Sequence, residues 1–449
     1  MNKLTFVNHA SFHVANERTL LLVDPWLEGA VFNNGWSLLD NSTSNSALVR
    51  ELSARKLTTF IWFSHEHPDH FSISFIKKLK QEFVGKLTLL FQQTKDRRVA
   101  AFLLKQGFTV IECAPGATIN LDADLAITVF PYTGGDSYCL IKSGKRTILN
   151  LNDCTLATPA ACQAVKASIA PLAPAVDVLL TQFGYANWVG NPFEPALRRR
   201  AAAEKRQRIS LQMDTFKPAL TIPFASFVTF STQENSYLND YQNSAYAIRQ
   251  WSTLSPATES LRFMKPRDAF DLDTATPASL MRMSHLAVAH WERLGRAARE
   301  ALPPEAPLTP VEVEAAFAKY QALVAANLPV LPWLLERLRL IKPLTIHMPD
   351  IDLTARFSYV SGYQVLPSGT RFDISMSSNS AVFLFNNEYG FNTTHVNGRF
   401  RTANSAALLR FSRFFMPQNL CRQGYGIHHP LATAGHLAGN VIGRIRAGA

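Results

Sequence analysis

The stretch Ile61-Trp62-Phe63-Ser64-His65-Glu66-His67-Pro68-Asp69-His70-Phe71-Ser72 sets an apolar run directly against three histidines and two carboxylates. Thr58 to Phe63 are β-branched or aromatic at every position, which predicts a buried strand, and Phe71, Phe75, Ile76 and Leu79 then recur at helical spacing. The imidazoles and carboxylates therefore fall on a strand-to-helix loop. Neutral imidazole with carboxylate oxygen is a ligand set for Zn, Mn or Fe. His65 and His67, two residues apart on an extended turn, can face one side while Asp69 and His70 face another, so the loop can serve one ion or two. A purely polar turn would gain nothing from clustering three histidines. Glu66 and Pro68 are read as shaping the loop.

A chain of 449 residues, 47% hydrophobic and 11% aromatic, has room for two or three domains and a large core. Met1 to Val23 alternate in polarity and show no small-residue cleavage site, and no run of eighteen apolar residues occurs, so neither a signal peptide nor a transmembrane helix is expected. The five cysteines (Cys113, Cys139, Cys154, Cys162, Cys421) have neither Cys-x-x-Cys nor Cys-x-His spacing, which argues against a disulfide framework or an iron–sulfur site and for a reduced, cytoplasmic setting. A formal charge of +11 favours anionic small-molecule substrates, and no specific nucleic-acid motif is present.

Before the loop, residues 4–7, 11–14 and 19–23 read as a meander of strands, the last running into Asp24. Asp24 could orient a ligand histidine or simply cap a turn. His9 could line the same cleft or be a satisfied structural histidine, and His13, inside a strand, is read as structural. After the loop, alternating helices and strands imply helices packed on a sheet. Asp153 leaves the apolar strand 147–151 for a loop, where an isolated carboxylate would be costly without a cation or donors, so it is a candidate metal ligand, terminal or bridging. The basic stretch Arg198, Arg199, Arg200, Lys205, Arg206, Arg208 is either a solvated helix face or a phosphate-recognising one.

The pattern loosens over 256–276, then helices are expected over 277–302 and 311–328 around the proline-rich 303–307 linker. These signs divide the chain into a metal-binding domain at 1–270, a helical connection at 271–345 and a small α/β accessory domain at 346–449, with strand-like runs at 356–360 and 381–385. No Asp or Glu follows Glu388, whereas Arg399, Arg401, Arg410, Arg413, Arg422, Arg444 and Arg446 do, so this stretch is read either as an anion-facing or acidic-partner surface or as a solvated tail. Its histidines, His347, His395, His428, His429 and His436, lack cluster spacing, so this unit is expected to supply no metal ligand.

The His-x-His-x-Asp-His loop resembles the signature of the metallo-β-lactamase superfamily. More narrowly, Val23-Asp24-Pro25-Trp26-Leu27 with Gly35-Trp36, the loop 64–72, Ile148-Leu149-Asn150 through Asp153-Cys154-Thr155, and Pro223-Phe224-Ala225 resemble the metallo-β-lactamase portion of the CMP-N-acetylneuraminate hydroxylases. The resemblance covers roughly residues 1–270 and implies an αββα sandwich. The superfamily adds a histidine between the loop and the bridging aspartate and another after it. Here neither 71–152 nor 154–284 contains one, and Asp136, after Gly134-Gly135, is the nearby substitute.

The site expected is therefore one ion on His65, His67 and Asp153, or two with Asp69 and His70, the ion being Zn, or alternatively Fe or Mn. Asp69 and His70 are the catalytic candidates, with Asp24, His9 and Asp136 lining or supporting the cleft. The leading expectation is a metal-dependent hydrolase of an anionic, phosphorylated or nucleotide-linked compound. The alternatives are a non-haem iron oxygenase of the hydroxylase type, needing a separate Rieske-type electron-transfer partner, and a binding protein on a degenerate scaffold.

Overall fold

The computed structural model describes residues 2–297 and 301–422. His428, His429, His436, Arg444 and Arg446 lie outside them, as does the side chain of Arg422.

Parallel pairing of Thr19–Val23, Thr58–Phe63, Leu87–Gln92 and Val110–Cys113 forms one half of a seven-stranded sheet. Antiparallel Ser11–Ala15, Lys3–Asn8 and Ala269–Asp271 extend it at the other edge. A six-stranded sheet follows in the order Leu220–Phe224, Val178–Gln182, Arg146–Asn150, Ser137–Ser143, Leu125–Pro131, Thr118–Asn120. Residue alternation gives each strand of the first sheet two faces. Leu4, Phe12, Val14, Leu21 and Trp62 share one core with Ile127, Val129, Leu140, Ile148 and Leu179 of the second sheet. Leu20, Leu22, Ile61, Phe63 and Leu89 instead pack outward against Leu48, Leu52, Phe75, Ile76 and Leu79 of the helices Asn45–Ala54 and Ile73–Glu82.

The far side of the second sheet is covered by Pro159–Ile169 and Pro195–Phe216, which contribute Val165, Ile169, Ile209 and Met213. The result is an αββα sandwich. In both sheets the strands that precede Asp24, Ser64, Gln92, Asp153 and the loop after Gln182 are parallel, so their carboxyl ends open on one edge, where ligands gather in such sheets.

The helical connection divides between two cores. Met281–Ala297 lays Ala287, Val288 and Trp291 on the sandwich, whereas Pro310–Asn327 gives Val313, Phe317, Tyr320 and Val324 to a second core. That core lies against a five-stranded sheet of Gly362–Leu366, Leu353–Ser358, Leu344–Met348, Ile374–Ser375 and Arg401–Thr402. One expectation fails here. Residues 381–385 are helical, within Ser378–Asn386, because Ser377 caps the helix by accepting from the Ser380 N–H, and Ala381, Leu384 and Phe385 then fall at helical spacing on one buried face. An unbroken apolar run carries no period of its own, and the cap decided between helix and strand.

The two units meet at Gly35. A Cβ there would collide with Asn397, whose Nδ2 donates to Phe32 O at 3.0 Å. Beside it, Arg399 is buried and paired with Glu234 and Glu305, and Arg410 is paired with Asp373. The acids missing from the sequence after Glu388 are thus supplied by earlier segments, and these arginines serve the packing. Among the described residues no helix is long and apolar enough to cross a membrane.

Candidate metal centre

Asp24 organises the loop from beneath. It follows its strand with φ 41°, and its N–H donates to Trp62 O at 3.0 Å. Its fully buried carboxylate accepts from the Ser64 N–H (2.7 Å), Ser64 Oγ (2.6 Å) and Asn152 Nδ2 (2.8 Å), and His70 Nδ1 lies 2.9 Å from Oδ2. With Nδ1 committed to Asp24, His70 presents Nε2 to the cleft. The Ser64 hydroxyl gives its single hydrogen to Asp24, so at 2.9 Å it accepts from His65 Nδ1–H and leaves His65 Nε2 unprotonated, 2.9 Å from His67 Nδ1.

Two groups of ligand atoms result, His65, His67 and Asp153 in one and His9, Asp69 and His70 in the other, each with its atoms within 4.8 Å of one another. Asp153 lies between them, with Oδ1 3.3 Å from His70 Nε2 and Oδ2 4.0 Å from His65 Nε2. Both groups fit a cation by their chemistry. Burial pushes His65 well below its usual range, with the charges of His70 and His67 adding to it, and burial also lowers His67, so both favour the neutral, metal-binding form. Burial alone would depress His70, but the Asp69 and Asp153 carboxylates outweigh it and raise its pKa well above 6.5.

The second group is marked by orphaned atoms. Both ring nitrogens of His9, Asp69 Oδ1 and His70 Nε2 are buried without a hydrogen-bond partner. Unpaired buried polar groups cost about 1–3 kcal/mol each, and a cation held by one nitrogen of His9, by Asp69 and by His70 Nε2 would meet one such atom on each residue. His9 was the residue least legible beforehand. It sits with φ 37° between two strands, its N–H bonded to Asn8 Oδ1 and its carbonyl to the Ala225 N–H at 2.8 Å, which brings Nε2 to 3.4 Å from Asp69.

Asp136 reaches 3.9 Å from His65 Nε2 on the turn after Gly134-Gly135, where Gln92 Nε2 bonds both Gly135 O (2.6 Å) and Ser64 O (3.2 Å). Burial, with the Asp153 charge adding to it, raises its pKa to about 7. Glu66 has a role beyond shaping the loop, because its carboxylate accepts from the Tyr389 hydroxyl at 2.7 Å and lies 3.6 Å from Arg98. The second unit thus touches the residue between His65 and His67. None of its described side chains joins either ligand group.

A cavity of about 510 Å³ opens from His67, Asp136 and Asp153 toward Tyr185, Trp188 and the helix Pro195–Phe216. That helix splits the basic stretch. Arg198 is buried and donates to Asn191 O and Pro192 O, whereas Arg200, Lys205 and Arg208 line the cavity. Lys205 Nζ donates to Gln182 Oε1 (2.6 Å), and Gln182 Nε2 to Asp153 Oδ1 (2.7 Å), a hydrogen-bonded chain from the ammonium to the Asp153 carboxylate.

Two face-packed sheets between helix layers, with this loop at their common edge, decide the architecture. This is the αββα sandwich that the resemblance to the metallo-β-lactamases implies. No protein-family model matches the chain. A Mycobacterium tuberculosis protein named for a Rieske 2Fe-2S cluster is 25% identical over 257 residues, 53% of this chain and 46% of its own. The cytidine monophosphate-N-acetylneuraminic acid hydroxylase of Danio rerio is 23% identical over 259 residues, 53% of this chain and 40% of its own. The matched part thus spans less than half the length of these curated relatives.

Among solved structures, the diiron β-hydroxylase CmlA of Streptomyces venezuelae is 16% identical with a TM-score of 0.40, over 60% of this chain and 54% of that one. A metallo hydrolase of Ignicoccus hospitalis is 17% identical with a TM-score of 0.38, over 60% and 98%. Metallo-β-lactamase-fold neighbours thus include both hydrolases and a hydroxylase.

Proposed function

We propose that this chain is a metal-dependent hydrolase whose substrate is an anionic small molecule of the phosphorylated or nucleotide-linked class. The observation that carries the reading is the cavity that joins ligand residues His67 and Asp153 to Lys205, Arg200 and Arg208. A Zn, Mn or Fe ion held by the ligand residues would supply an activated water and polarise the scissile group. The chain's own residues do the rest. His65, His67 and Asp153, with His9, Asp69 and His70, hold the ions; Asp24 fixes the His70 tautomer; Lys205 and the arginines bind the anionic group and orient it toward Asp153.

Burial and the charge of Arg208 lower the Lys205 pKa to about 8, with Asp153 opposing. Lys205 is therefore cationic at neutral pH and loses its charge as pH rises through about 8. Affinity for the anionic substrate should fall over that interval. For folding the sign is opposite, because between about 8 and 10.5 the unfolded chain binds a proton that the folded one does not, so stability rises there. Lys205→Ala is expected to raise KM for a phosphate ester about tenfold, with a smaller change in kcat, and to abolish the KM rise near pH 8. An unchanged KM and pH profile would remove Lys205 from the binding site.

The similarity to the Danio rerio hydroxylase favours a second reading, oxygenation at the same site. The described cysteines are free and none has Cys-x-His spacing, so under this reading electrons would come from a Rieske-type centre outside the described residues. Turnover of phosphate esters under strict anaerobiosis without reductant supports hydrolysis, and turnover that demands oxygen and reductant supports oxygenation.

A further inference from the structure

On the outer face of the seven-stranded sheet, strand register sets Ala269, Thr5 and His13 side by side. Leu4, Phe6, Phe12 and Val14 belong to the core between the sheets, so the alternate residues Lys3, Thr5 and His13 face the other way, toward the helix Asn45–Ala54. A cavity of about 360 Å³ lies between that helix and the sheet, and it shares no lining residue with the metal-centred cleft. Ala269 and Thr5 are short and leave this space open. Lys3, Arg55 and Arg267 line it, against one acid, Glu51, which is already paired with Arg55 at 2.7 Å.

His13 also lines this cavity. It is 2% exposed, and its Nδ1 has no hydrogen-bond partner, an arrangement that costs about 1–3 kcal/mol unless something in the cavity meets it. Arg267 stands at the rim in the left-handed region, φ 72°, with its N–H held by Phe6 O at 3.0 Å. A non-glycine residue in that conformation is strained, and the strain aims a long cationic side chain at the cavity.

We propose that this trough is a second, anion-binding site that takes a phosphate-sized dianion, either inorganic phosphate or a phosphate monoester group, through Lys3, Arg267 and the His13 ring. Lys3 and Arg267, neither in a salt bridge among the described residues although Asp271 lies across the strand pair from Lys3, supply the charge, and the Thr5 and Thr43 side chains add hydroxyls to the lining. Burial, with Arg55 and Lys3 adding to it, lowers the His13 pKa to about 3, so the ring is neutral, and its Nδ1–H tautomer would donate a hydrogen bond to a phosphate oxygen.

Calorimetric titration of the full chain with inorganic phosphate tests this. Saturable binding is expected, weakened about tenfold or more by combining Lys3→Ala with Arg267→Ala, both rim changes away from the core. Combining Lys205→Ala with Arg208→Ala in the cleft should remove only phosphate binding at the cleft and leave the component that the rim pair weakens, which separates this site from the proposed substrate pocket. Glycerol 3-phosphate in place of phosphate tells whether an esterified group enters equally well. Absence of saturable phosphate binding, or its loss with the cleft pair and not with the rim pair, would overturn the proposal.

Discussion

Replacing Asp24 with alanine is expected to destabilise the protein by about 3–5 kcal/mol and to lower metal affinity at the same time. The carboxylate is fully buried, and its removal strands the Ser64 N–H, Ser64 Oγ, Asn152 Nδ2 and His70 Nδ1 in a space water does not reach. Each stranded donor is costly, and the three residues concerned set the positions of both ligand groups. Asp24→Asn keeps the shape but offers one acceptor oxygen, so it should lose less stability and still release the His70 tautomer. Urea unfolding of both variants, with metal content measured in parallel, checks the ranking. Wild-type stability in Asp24→Ala would show that the loop does not depend on this carboxylate.

The second large effect separates the two ligand groups. His67 belongs only to the group with His65 and Asp153, so His67→Ala is expected to cut bound metal from two ions per chain to one and to reduce turnover by at least about a hundredfold. Its ring is at the cavity rather than in the sheet core, so the unfolding midpoint of the metal-free protein should barely move. Asp153→Ala, between the groups, should remove both ions. Equal metal content in His67→Ala and the parent protein would exclude His67 as a ligand.

Much of this was legible because the loop is contiguous. A β-branched and aromatic strand, a cluster of imidazoles and carboxylates and a helix-spaced apolar face follow one another within residues 58–79, and each predicts its own geometry from local rules. Asp153 could be found because a carboxylate at the end of an apolar strand needs a partner. His9 could not be weighed in the same way. A single histidine carries no spacing, and only the turn of its backbone beside Ala225 brings it to Asp69.

The Glu66–Tyr389 hydrogen bond and the Arg399 ion pairs with Glu234 and Glu305 join segments remote in sequence, which no local pattern records. The arginine-rich stretch after Glu388 looked uncompensated because charge balance there is tertiary. Arg399 and Arg410 find their acids on other strands and loops, while Arg200, Lys205 and Arg208, from a stretch that also reads as a solvated helix face, line the cleft.

Metal analysis of protein purified without added metal and then dialysed against a weak chelator tests the central claim most directly. The account predicts about two ions of zinc, iron or manganese per chain, falling to about one in His67→Ala and to none in Asp153→Ala. A parent protein that binds no metal even after reconstitution with each of the three, while remaining folded, would contradict it.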